Sequence, residues 1–276
     1  MLSMQNPLVP FPSGAIDTHA HVFHAGGAIA PSARYRPDND APLSTYLRLL
    51  DRNGIAGAIL VQPSFLGTDN RLLLEAIAEA PDRLAGVAVL SPTTTLAELE
   101  DLRAAGIVGV RLNLIGAEIP PLCRDDWYEH LKQLRRTGLH VAVHAEGEQW
   151  PSVLPVLVAH QLRIVVDHFG RPARETDKCV GLKAIDAAAA AGGDVWIKLS
   201  GPYRFQAAPA DALTVLRKAI SRDRFIWGSD WPWTQHPEVR DYADVRAWLD
   251  EWIPEQEERT KILIRNARKL VNQLGA

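Results

Sequence analysis

Cysteine is scarce. Cys123 and Cys179 are the two thiols in 276 residues, too few and too isolated for a disulfide framework or a thiolate metal site. Both read as unpaired thiols. No apolar run is long enough to cross a bilayer. The opening stretch MLSMQNPLVPFPSG lacks the basic and apolar regions of a secretory leader, so the expected compartment is the cytoplasm. Charge of one sign is lacking as well. Lys and Arg number 30 against 33 Asp and Glu, a net charge of −3, which gives no global reason to bind nucleic acid or an anionic membrane. No low-complexity linker, acidic tail or composition break divides the chain. There is also no G-x-G-x-x-G or G-x-x-x-x-G-K phosphate turn, and that weighs against a doubly wound open sheet.

What is present is a rhythm. Short β-rich runs recur at 15–22, 56–63, 83–90, 108–114, 140–146, 163–170, 195–201 and 225–232. Segments with helical apolar spacing lie between them, such as STYLRLLDRNG, DNRLLLEAIAEA, TLAELEDLRAAG and DDWYEHLKQLRRTG. Gly54, Gly106 and Gly138 stand where three of these helices should stop. Eight strands alternating with helices imply parallel pairing through right-handed crossovers, and eight is the number that closes a (β/α)8 TIM barrel. The expected fold is α/β, one barrel domain over 1–276 with its core at about 15–274. The amphipathic segment EQEERTKILIRNARKLVNQL is expected to pack across the outside.

In such a barrel the C-terminal strand ends converge on one pocket. Those ends carry His19 and His21 on the first strand, Gln62 and Ser64 on the second, and Arg111 and Asn113 on the fourth. His144 ends the fifth, His168 the sixth with Arg171 just beyond, and Lys198 and Ser200 the seventh, with Tyr203 and Arg204 in its loop. Asp230 ends the eighth. In AIDTHAHVF, strand alternation predicts Asp17, His19 and His21 on one face and Ile16, Thr18, Ala20 and Val22 on the other. Singly, each has a structural reading: a core histidine pair, a strand arginine paired with an acid, an aspartate capping a turn. Four histidines and an aspartate at the strand ends of a single barrel argue for a site. The long first βα connection, about 24–43, carries Arg34, Tyr35 and Arg36 toward the same mouth. His24, His130, His140, His160 and His236 fall elsewhere and are given no function.

The stretches DTHAHVF, VQPSFLGTDN, GVRLNL, DHFGRP, KLSGPYR and GSDWPWTQH resemble the amidohydrolase superfamily, and most closely its lactone-hydrolysing branch of pyrone-dicarboxylate, sulfomuconolactone and sugar-acid lactone hydrolases. The resemblance runs from about residue 15 to the RNARKLV segment. It implies hydrolytic opening of a lactone, a small-molecule substrate, by activated water. Asp230 is then the general base. His19, His21 and His168 polarise the carbonyl and stabilise the oxyanion, directly or through a metal. Arg111, Arg171 and Arg204 are candidates for holding substrate carboxylates in bidentate contacts, and Ser64, Tyr203, His144 and the Tyr35/Arg36 loop complete the pocket.

Two cofactor states are left open: none required, or one Zn²⁺ or Mn²⁺ on His19, His21, Asp230 and either His144 or His168. Arg111 stands where dinuclear superfamily members carry a bridging ligand, which weighs against a second ion. Also left open are a metal-dependent decarboxylase of the same superfamily, a non-catalytic anion-binding barrel, and homo-oligomer formation.

Overall fold

The computed structural model describes residues 13–272. Eight strands pair in parallel in chain order: β1 (Ala15–Ala20), β2 (Ile55–Val61), β3 (Leu84–Ala88), β4 (Ile107–Asn113), β5 (His140–His144), β6 (Arg163–Val166), β7 (Asp194–Leu199) and β8 (Phe225–Trp227). Between and after them lie α1 (Leu43–Arg52), α2 (Arg71–Glu79), α3 (Leu96–Ala104), α4 (Asp125–Thr137), α5 (Trp150–Ala159), α6 (Val180–Ala190), α7 (Pro209–Ala219) and α8 (Tyr242–Trp252). This is the expected (β/α)8 barrel. The expected limits reach 276, with a core to about 274. Residues beyond 272, like most of the opening stretch read for a leader, lie outside the described residues. Among the described residues no helix is long and apolar enough to cross a membrane.

Local chemistry explains the boundaries. Gly54, Gly106 and Gly138 all adopt positive φ (65°, 95° and 72°), the left-handed stop that a side chain resists. Thr95 and Glu98 form a reciprocal capping box at the start of α3. In α4, Asp125 and Asp126 occupy the first turn and Arg135 and Arg136 the last, matching the helix dipole at both ends.

The ring closes between β1 and the chain leaving β8. Thr18 Oγ1 donates to the Trp227 carbonyl at 2.7 Å, and the Asp230 and His21 amides donate to the His19 and Trp231 carbonyls at 2.7 and 2.8 Å. β8 itself is shorter than expected because the chain departs from extended backbone after Gly228, with Asp230 at φ 59°.

The predicted alternation of β1 fails. Ile16 faces the barrel interior, and Asp17 faces the helix layer, where it accepts from Tyr46 of α1 and Tyr242 of α8, each at 2.8 Å. Asp17 also accepts from the amides of Ser229 (2.8 Å) and His19 (3.1 Å). A shift in the β1–β2 register between Asp17 and Ala20 breaks the period of two and turns His19 inward. Asp17 is thus a buried brace joining two strands' ends to two helices.

The terminal segment also departs from expectation. It is α9 (Gln256–Thr260), a π-helical turn over Lys261–Asn266, and α10 (Ala267–Asn272). Ala267, Leu270 and Val271 join the cluster of interior side chains that includes Ile16, Val87, Trp196 and Ile226. The segment therefore stoppers the barrel's N-terminal end instead of lying along its flank. Just above this apolar layer, His140 fills the interior beside Gly109, where an added Cβ would come within 2.4 Å of its Nε2. Burial pushes the His140 imidazole down to about 3, with Lys198 adding to the shift, so it sits in the barrel uncharged.

Candidate active site

Asp230 is held asymmetrically. Its Oδ2 accepts from Tyr203 Oη at 2.7 Å and from Arg204 Nε. Its Oδ1 faces three imidazoles: His19 Nε2 at 3.6 Å, His21 Nε2 at 3.7 Å and His168 Nε2 at 4.0 Å. Burial opposes ionisation of Asp230, but the Arg204 guanidinium against Oδ2 outweighs it, and the carboxyl is held well below the usual carboxylate range.

Each imidazole is oriented by its other nitrogen. His21 Nδ1 lies 2.7 Å from the Val61 carbonyl, which can only accept, so the proton sits on Nδ1 and a lone pair on Nε2. His168 Nδ1 contacts Ser200 Oγ at 2.9 Å. His19 Nδ1 meets Lys198 Nζ at 3.0 Å and Asp167 Oδ1 at 3.5 Å. Burial lowers the pKa of all three rings, that of His168 to about 3. The result is a trio of neutral imidazoles around an anionic oxygen. Among the described residues, His19 Nε2, His168 Nε2 and Asp230 Oδ1 lack hydrogen-bond partners. Buried polar atoms without partners are costly, so this cluster is built to receive something.

Those atoms offer a divalent ion two possible settings. Ligand atoms of His19, His21 and Asp230 lie within 4.8 Å of one another, as do those of His19, Asp167 and His168. The second group is capped by the Lys198 ammonium, 2.8 Å from Asp167, which repels a cation. The first group fits, with imidazole nitrogen and carboxylate oxygen suited to Zn²⁺ or Mn²⁺. His144 does not. Its Nδ1 faces Arg111 at 3.3 Å and its Nε2 faces Arg171 at 3.4 Å, so a guanidinium meets each ring nitrogen. This removes His144 from the expected ligand set.

The cluster floors a narrow cavity of about 70 Å³, partly open to solvent, whose wall carries Arg34, Ser64, Arg111, His144, Arg171 and Arg204. Arg111 is buried and also donates to the Gln62 carbonyl at 3.2 Å. Arg171 Nη2 reaches Glu146 at 3.4 Å. Gly201, at φ 53°, lets the β7 loop pass close by, since a Cβ there would lie 2.8 Å from His168 Nδ1.

The family model described as "Amidohydrolase" matches residues 16–273. The chain belongs to the amidohydrolase family. It is 30% identical to a 2-pyrone-4,6-dicarboxylate hydrolase of Comamonas testosteroni, over 96% of this chain and 92% of that one. It is 29% identical to a 4-sulfomuconolactone hydrolase of Rhizobium radiobacter, over 94% and 90%. Among solved structures, a probable 2-pyrone-4,6-dicarboxylic acid hydrolase of Acinetobacter baumannii with citric acid bound superposes with a TM-score of 0.86 at 36% identity, covering 93% of this chain and 98% of that one.

In this amidohydrolase the structure gathers His19, His21, His168, Asp230, Tyr203 and Arg204 at the floor, and Ser64, Arg111, His144 and Arg171 in the wall. Arg36 is not in that wall. It donates to the Ala25 and Gly27 carbonyls and braces its own loop, while Arg34 reaches the cavity. Asp167 was missed by sequence reasoning, and Lys198 was placed at its strand end but given no role. The two pair at 2.8 Å under His19, with Arg111 Nε 3.8 Å from the other Asp167 oxygen. Burial opposes ionisation of Asp167, but Lys198 and His19 hold it well below the ordinary value. Period two provided a signal for both: Lys198 follows Trp196, and Asp167 follows Val165, onto the inward face.

Proposed function

We propose that this amidohydrolase opens a carboxylated lactone by hydrolysis, with Asp230 as the base. The observation that carries the proposal is the asymmetry of Asp230: one oxygen is latched by Tyr203 and Arg204, and the other is unpartnered and faces three neutral imidazoles. Water adds to the lactone carbonyl, and Asp230 Oδ1 takes its proton. The ring C–O bond then breaks, the proton passes from Asp230 to the leaving oxygen to give a hydroxyl group, and the new carboxylic acid gives up the second proton of the water to solvent and becomes a carboxylate. With Ser200 donating to Nδ1, His168 presents Nε2–H to the developing oxyanion. Lys198 and Asp167 fix His19 from below. Arg111 and Arg171 hold a substrate carboxylate beside the reacting carbon, with Ser64, Tyr203 and His144 shaping that wall. A divalent ion, when bound, is held by His19, His21 and Asp230, and supplies Lewis-acid polarisation of the carbonyl.

The named relatives support this reading. Two of the relatives are named as a 2-pyrone-4,6-dicarboxylate hydrolase and a 4-sulfomuconolactone hydrolase, and the Acinetobacter structure has citric acid bound. The test is a panel of neutral, carboxylated and sulfonated lactones assayed by acid release, with and without chelator, alongside metal analysis of the purified protein. Acid release from a carboxylated lactone is expected. Release of CO₂ instead, or turnover of none of the panel, overturns the proposal.

A further inference from the structure

Lys198 lies near the end of β7 with its side chain buried. Its Nζ has two polar neighbours, Asp167 Oδ1 at 2.8 Å and His19 Nδ1 at 3.0 Å. An ammonium group carries donors and no acceptor. It can pair with a carboxylate, and with an imidazole nitrogen only where that nitrogen offers a lone pair. The Asp167 carboxylate competes for the same ring atom, but it stands 3.5 Å from His19 Nδ1. That is beyond the roughly 2.7–3.2 Å of an N–H···O hydrogen bond. The nearer contact decides: Nδ1 accepts from Lys198, and the single proton of the neutral ring sits on Nε2.

The ring is held at this contact. Gly228 passes so close that a Cβ there would lie 2.5 Å from His19 Cβ and 2.9 Å from its backbone nitrogen. The rings of His21 and His168 each lie 4.9 Å away between centroids. His19 Nε2 is buried without a partner and faces Asp230 Oδ1 at 3.6 Å, too far for a hydrogen bond, so its N–H is unspent. His168 Nε2 is unpartnered as well. His21 is the opposite case. Its Nδ1 donates to the Val61 carbonyl at 2.7 Å, which leaves a lone pair on Nε2. Two of the three imidazoles can therefore donate to an oxyanion, and the third cannot.

We propose that Lys198 is a positioning residue: by donating to His19 Nδ1 it fixes His19 as an Nε2–H donor that joins His168 in receiving the oxyanion, while His21 can only accept. This rests on the lactone-opening reading and says which imidazoles meet the carbonyl oxygen. Asp167 supplies the opposing pull. Without the ammonium, its carboxylate draws the His19 proton to Nδ1, and Nε2 then turns a lone pair toward the developing oxyanion. An ion held by His19 would have to displace the same proton.

The test is ¹H–¹⁵N NMR of the protein as purified, with its nine histidines ¹⁵N-labelled. The His19 and His21 signals are assigned by their loss in His19→Gln and His21→Gln, and long-range couplings from the ring protons identify the protonated nitrogen. Nε2–H is expected for His19 and Nδ1–H for His21. A proton on His19 Nδ1 overturns the proposal, and this measurement needs no change at Lys198. In Lys198→Met the His19 proton is expected to move to Nδ1. The kcat for a carboxylated lactone opened by the wild type should then fall by about ten-fold or more with KM within about three-fold, since one lost oxyanion donor costs about 10²–10³-fold. Lys198→Arg, also a donor only, should keep Nε2–H and recover part of kcat. A His19 proton that stays on Nε2 in Lys198→Met, with only stability reduced, assigns Lys198 to neutralising Asp167 and overturns the proposal. Lactone opening by a wild-type protein with its His19 proton on Nδ1 sinks the Lys198 role alone. Nε2–H on His19 in a protein that opens no lactone sinks the catalytic reading and leaves the tautomer standing.

Discussion

Arg204 and Asp230 meet through a single carboxylate oxygen, which leaves the other oxygen of Asp230 free to face the imidazoles. A base needs an available lone pair and a fixed direction, and this contact supplies the direction. The same contact stabilises the ionised form, so Asp230 carries its negative charge over the whole ordinary pH range.

Asp230→Asn keeps the shape and removes the proposed base. Lactone hydrolysis is expected to fall by about 10²–10⁴-fold, the usual worth of a positioned proton acceptor, with an unchanged circular dichroism spectrum. Turnover within ten-fold of wild type would rule Asp230 out of that role.

Arg204→Met removes the cation that does most to hold the Asp230 carboxyl down. The folded pKa then rises, so protonation sets in at higher pH on the acid side. The acid limb of the pH–rate profile is expected to move upward relative to wild type. An unmoved limb would show that another group sets it.

The Asp17 brace makes a stability prediction. Tyr242→Phe deletes one of the two phenol hydroxyls bonded to this buried carboxylate, and leaving such a group short of a donor costs about 1–3 kcal/mol. Urea denaturation should show that loss with little change in slope. A change under 0.5 kcal/mol would mean that the brace bears no strain of folding.

Buried neutral histidines set the pH dependence of stability. His140 and His168 have folded pKa values of about 3, against an ordinary 6.5. Between those limits the unfolded chain binds more protons than the folded one, so stability falls as pH drops from 6.5 toward 3. Each such group contributes at most roughly 1.4 kcal/mol per pH unit. Asp167 and Asp230, depressed below 3.8, act in the same direction at still lower pH. Unfolding midpoints in urea should therefore be lower at pH 5 than at pH 7. Equal midpoints would contradict the buried neutral state.

How much was legible depended on whether a feature is local. Parallel strands covered on both faces read as short apolar runs, and the helix stops at Gly54, Gly106 and Gly138 are single-residue signals, so the barrel could be read directly. The convergence of His19, His21, His168 and Asp230 then followed from topology. The turn of β1 did not, because the register shift near Asp17 arises from pairing with β2. Asp167 and His168 are adjacent, and in an unbroken strand they would point to opposite faces. Both reach the centre because His168 and Phe169 take φ of 52° and 57°, a conformation that no local preference of those residues announces. The apolar face of the terminal segment was visible, but the surface that receives it was not.

That terminal stopper has a consequence for traffic. With Leu270 and Val271 sealing one end of the cylinder, the ring enters and the opened acid departs through one doorway. Hydrolysis adds a negative charge at the moment of exit, and the threshold is lined with arginines. Departure of the newly charged molecule is therefore the step on which the doorway pulls hardest, and dissolved salt loosens that grip.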